Sequence, residues 1–100
     1  MKGTMTIVSS ALVKQFYYNN EQLSVNGNYQ LNSETLELES INGSVNRNTE
    51  KGEYVGNFSG VNRDGEMHYT LSDMTMADTL LVLDAIKEIE EYINNESNND

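Results

Sequence analysis

Alternation of apolar and polar positions dominates the first three quarters of the chain. In "QLSVNGNYQL" (22–31), Leu23, Val25, Gly27, Tyr29 and Leu31 share one parity, the period of a strand with one buried face. "TLELESINGSV" (35–45) starts with Leu36 and Leu38 on one face and continues with Ile41 and Val45 on the other. A regular strand with one buried face cannot hold both sets, so the pattern calls for a bulge near Glu39-Ser40, a bend, or cover on both faces. Residues 4–18 fit either a helix capped by Ser9 or Ser10, or a strand with Ala11, Val13 and Tyr17 on one face and Leu12, Phe16 and Tyr18 on the other. Val, Phe and Tyr suit a pleated surface, which favours the strand, and two apolar faces suggest a central one.

"GEYVGNFSGVNRDGEMHYTL" (52–71) reads as a hairpin turning at 62–65, and two registers fit it. With Arg63-Asp64-Gly65 as the loop, Asn62 opposes Glu66. Tyr54 and Phe58 then stand apart from Met67, Tyr69 and Leu71 as a half-open aromatic platform. With all four residues as the loop, Val61 opposes Glu66. Tyr54, Gly56, Phe58 and Gly60 then share a face with Met67, Tyr69 and Leu71. A slip of one residue reverses every side chain, and the second register divides apolar from polar more cleanly.

The period changes at residue 75. Val82, Ile86, Ile89 and Ile93 follow the 4-3-4 spacing of a helical stripe, widened by Leu81, Ala85 and Tyr92 on one side and Leu83 on the other. Thr75 caps this helix, with Asp78 at its third position, and no glycine or proline interrupts it through residue 94. So wide an apolar arc requires a deep groove or a second subunit. The expected architecture is therefore α+β: an antiparallel β-meander of four to five strands followed by one C-terminal helix packed on the sheet. Residues 1–94 form a single domain, and 95–100 a disordered acidic tail.

Charge divides the chain unevenly. The net charge is −10, made of −3 over residues 1–72 and −7 over residues 73–100. A field of that sign disfavours nucleic acid and membranes and favours a basic partner. No run of 18 apolar residues and no leader pattern occurs, so a cytoplasmic protein without a membrane span is expected. Cysteine and proline are absent, which leaves turns to asparagine and glycine.

Catalytic chemistry finds little footing. His68 is the single histidine and has no cysteine with which to build a zinc site. Glu37/Glu39 and Glu88/Glu91 are carboxylate pairs in solvated positions, and Asp64 belongs to the hairpin turn rather than a calcium loop. No phosphate-cradling loop or nucleophile elbow is present. No catalytic, metal or cofactor residue is assigned.

The reading is a non-enzymatic module that binds another protein, as a homodimer. Asp78, Asp84, Glu88, Glu90 and Glu91 would form an acidic face that occupies a basic site, as small phage-encoded inhibitors can. The alternative is a single-strand nucleic-acid-binding dimer. Its contacts would be Tyr54, Phe58 and Tyr69, flanked by Arg47, Lys51 and Arg63.

Overall fold

The computed structural model describes residues 3–7 and 12–98. Six antiparallel strands form one sheet in chain order: β1 (Thr4–Ile7), β2 (Val13–Asn19), β3 (Leu23–Leu31), β4 (Leu38–Arg47), β5 (Tyr54–Arg63) and β6 (Glu66–Ser72). One helix follows, α1 (Met76–Asn98). The expected α+β meander with a C-terminal helix is what the chain adopts, with β1 as an additional strand. Ser9, Ser10 and Ala11 lie outside the described residues.

The core is a two-layer contact between one sheet face and the helix. Phe16, Tyr18, Val25, Tyr29, Ile41 and Phe58 are buried from the sheet, and Val82, Ala85, Ile86, Ile89 and Ile93 from the helix. The middle row of this face runs Phe16, Gly27, Gly43, Phe58, Leu71 across β2 to β6. A Cβ at Gly43 would sit 2.7 Å from the Phe58 ring. The bare pair Gly27–Gly43 thus leaves room between two rings. Phe16 then meets Tyr29 at 5.9 Å between centroids and Phe58 meets Tyr69 at 6.4 Å, both tilted.

Two irregularities settle the parity conflicts. At the β3–β4 edge Gln30 opposes Ser40 while Leu31 opposes Leu38, so Glu39 is the extra residue of the anticipated bulge. Leu36 is not on the strand face with Leu38. It lies in the preceding turn at φ 62° and is exposed. On β5, Gly56 opposes Val45 and Tyr54 opposes Asn46, which leaves Val55 as a second bulged residue. This bulge sends Tyr54 to the outer face although Phe58 points to the core.

The β5–β6 turn matches neither expected register. Arg63 opposes Glu66, leaving a two-residue loop of Asp64 and Gly65 at φ 55° and 88°. Asp-Gly accepts positive φ at both positions, and a two-residue turn of that kind matches strand twist. Asn62 Oδ1 accepts the Gly65 N–H at 3.0 Å. The faces fall as in the four-residue alternative for Phe58 and Gly60, which oppose Leu71 and Tyr69.

β2 is a strand, as favoured, but not one covered on both sides. Phe16 and Tyr18 are buried, whereas Val13 and Tyr17 are 57% and 50% exposed. Among the described residues, none forms a second layer on the outer face of the sheet. Asparagines also close the loops: Asn20 Oδ1 accepts from Gln22 and Leu23 N–H, and Asn32 Oδ1 from Glu34 and Thr35 N–H. The helix starts on Thr75, whose Oγ1 accepts the Asp78 N–H at 3.1 Å. It continues to Asn98, beyond the end at residue 94 read from the sequence.

Candidate interaction surfaces

The five carboxylates expected to form one acidic face are distributed among four environments. Asp78 turns back to the sheet and pairs with Arg47 at 2.7 Å. Glu88 accepts hydrogen bonds from the Gly3 N–H and from the Tyr18 hydroxyl, the latter at 2.9 Å. Glu90 stands on the opposite flank of the helix as the charged neighbour of the Tyr69 hydroxyl on β6. Asp84 and Glu91 are the two exposed members. Sequence position placed all five on one helix. Helical phase and the partners waiting on the sheet separate them.

The N-terminal strand is held by this helix at its first described residue. Glu88 takes the Gly3 N–H, and the Tyr92 hydroxyl donates to the Gly3 carbonyl at 2.9 Å. Tyr18 lies beneath, fully buried, with its hydroxyl pushed up to about 12. Burial is the main cause, followed by the hydrogen bond from Asn20, which opposes the shift, and by Glu88, which adds to it. A cleft of about 240 Å³ beside it, lined by Asn20, Gln22, Asp84 and Glu88, has one of its two carboxylates already bonded internally.

The aromatic contacts of the nucleic-acid alternative do not share a surface. Phe58 is 2% exposed beneath the helix, Tyr69 is half-buried on the same inner face, and Tyr54 is on the outer face at 55%. Arg47 ends β4, engaged by Asp78, and Lys51 lies in the adjoining β4–β5 loop, whereas Arg63 sits at the opposite end of the sheet, at the β5–β6 hairpin. No three of the described histidines and carboxylates converge as a metal-binding group.

Two sheet edges remain, and they differ. β1 is four residues long and its start is clamped by the helix. β6 is seven residues long, pairs among the described residues with β5 alone, and carries neither lysine, proline nor a bulge, which are among the usual protections of an edge. Its inner residues Met67, Tyr69 and Leu71 are only partly buried, unlike those of β3. The Tyr69 hydroxyl is buried without a hydrogen-bond partner among the described residues, and burial, then Glu90, raises its pKa.

Above this edge lies an apolar row that the sequence reading did not isolate. Met76, Leu80 and Leu83 are 85%, 62% and 41% exposed. Their spacing of four and three puts them on one helix flank, and Glu90, two turns beyond Leu83, places that flank on the β6 side. The same 4-3 rule that found the core stripe identifies this second stripe, once the phase of the first is known.

No protein-family model, curated protein or solved structure matches this chain.

Proposed function

We propose that the chain is a non-enzymatic interaction module that works as a homodimer, joined through β6 and the helix flank above it. One observation carries this reading: Glu90 neighbours Tyr69 on the unprotected β6 edge, and helical phase puts the exposed row Met76–Leu80–Leu83 on the Glu90 flank. Antiparallel pairing of β6 with its own copy about Tyr69 opposes Met67 to Leu71 on the inner face. On the outer face it opposes Glu66 to Ser72 and His68 to Thr70. No like charges meet, which matters for a chain of net charge −10. Such pairing extends the sheet across the twofold axis and brings the two helix flanks together over the joined edge. Asp84 and Glu91 remain available to a basic protein partner.

Sedimentation at tens of micromolar tests the reading. Wild type is expected at twice the chain mass, and the double variant Leu80→Glu, Leu83→Glu at the monomer mass with unchanged helical circular dichroism. A monomeric wild type at that concentration overturns it.

A further inference from the structure

The outer face of the sheet differs in chemistry from the rest of this acidic surface. Cross-strand pairing arranges its side chains in rows. One runs Gln15, Asn28, Asn42, Ser59, Thr70; the next runs Thr6, Tyr17, Asn26, Ser44, Asn57, Ser72. Neither row contains an aspartate, glutamate, lysine or arginine. The row beyond the second, Thr4–Asn19–Ser24–Asn46–Tyr54, has none either. Among the described residues charge resumes at the margins, with Glu37 and Glu39 beside the β3–β4 turn, Glu50, Lys51 and Glu53 in the β4–β5 loop, and Arg63 and Glu66 at the β5–β6 hairpin. A solvated surface of this size ordinarily mixes both signs of charge at about a quarter to a third of its positions.

Between these rows lies a shallow, open depression floored by the Gly27–Gly43 backbone, whose absent side chains would face the core. Its rim is made of amides and hydroxyls, chiefly Gln15, Asn26, Asn28, Asn42 and Asn57. Each amide both donates and accepts, and so does each hydroxyl. Tyr17 and Tyr54, about half exposed, border the rows at opposite sides. Tyr17 and Asn57 stand three strands apart, roughly 14 Å at the usual strand spacing. The Tyr54 hydroxyl accepts from Asn57 Nδ2 at 2.7 Å, so this ring is anchored at the rim.

We infer that this hollow is a binding site for a neutral, polyhydroxylated ligand, a short oligosaccharide of uncharged hexoses. Exclusion of charge leaves these rows without a counter-charge for phosphate, carboxylate or ammonium groups. Amides aimed outward match vicinal hydroxyls, which also donate and accept. The two tyrosines offer flat apolar surfaces to the C–H faces of sugar rings. The site lies on the sheet face opposite the helix and does not depend on the dimer.

The test uses the full chain and three neutral probes: maltohexaose, cellohexaose and mannohexaose. Side-chain amide NMR resonances are followed at up to about 10 mM sugar, a range that captures weak affinities. At least one probe is expected to shift the Asn26, Asn28, Asn42 and Asn57 amides saturably, and those of Asn20 and Asn32 not at all. Asn28→Asp with Asn42→Asp, which nearly preserves shape and adds charge, should weaken that binding at least tenfold, and Tyr17→Ala severalfold, with the fold intact by backbone spectra. Absence of saturable shifts with all three sugars overturns the proposal. So do shifts of the same amides on raising protein concentration without sugar, which would mark face-to-face self-association. Stronger, salt-sensitive shifts with oligo-dT would assign the face to single-stranded nucleic acid instead and overturn it equally.

Discussion

Glu88 and Tyr18 lie seventy positions apart, and the Tyr18 hydroxyl donates to the Glu88 carboxylate at 2.9 Å. The same carboxylate takes the Gly3 N–H, so one helix residue fastens the first described residue and a buried strand tyrosine together. This carboxylate is a structural anchor, and its replacement tests architecture before it tests any partner.

Glu88→Ala is expected to lower stability by about 1.5–3 kcal/mol, the usual worth of hydrogen bonds to a charged group. The loss should be accompanied by faster amide exchange in β1. Glu88→Gln keeps one acceptor oxygen and should lose less. Urea unfolding with hydrogen exchange reads both. Asp84→Lys and Glu91→Lys, both at exposed positions, should leave stability within about 0.5 kcal/mol. They are the substitutions with which to probe a basic partner.

Gly27 and Gly60 both face the core side but should respond differently to alanine. A Cβ at Gly27 falls on the Asn42 carbonyl and within 2.8 Å of the Gly43 Cα, both backbone atoms of β4. The strands themselves must part, and Gly27→Ala is expected to cost about 3 kcal/mol or abolish folding. At Gly60 the nearest atom is Tyr69 Cε1 at 2.5 Å, the far end of a half-buried side chain that can swing aside. Gly60→Ala is expected to cost about 1 kcal/mol. Thermal melts that rank the two the other way would contradict this account of the sheet.

Alkaline pH should unfold the protein through its tyrosines. The Tyr18 hydroxyl is pushed from 10.0 up to about 12, and that of Tyr69 is raised further, chiefly by burial in both cases. A folded state that holds these protons more tightly than the unfolded chain is fully stabilised below pH 10 and loses that stability as pH rises toward 12. Tyr69→Phe removes one of the two groups together with a buried hydroxyl that lacks a partner. The variant should lose less stability than wild type across this alkaline range. Chemical unfolding at stepped pH checks both statements.

Local pattern carried much of this architecture. Alternation from Leu23 to Leu31 and the 4-3-4 spacing of Val82, Ile86, Ile89 and Ile93 specify a one-faced strand and a one-striped helix, because a buried face imposes its period on sequence. The clash between Leu38 and Ile41 required a bulge, and Glu39 is the residue that absorbs it. Thr75 was readable as a cap because its partner, the Asp78 N–H, is local.

What escaped the sequence depends on distant partners or on a single inserted residue. The bulge at Val55 reverses Tyr54 without changing its neighbours in the chain. The two-residue Asp64-Gly65 turn became evident only with the pairing of Arg63 and Glu66. Composition showed many asparagines. Only the lateral register of three strands reveals that Asn26, Asn28, Asn42 and Asn57 lie side by side on an uncharged face. Likewise, five carboxylates on one helix are a fact of sequence. That Asp78 meets Arg47, Glu88 meets Tyr18 and Glu90 stands by Tyr69 is decided by the sheet against which the helix packs, because an ion or hydrogen-bond partner is chosen by proximity in space.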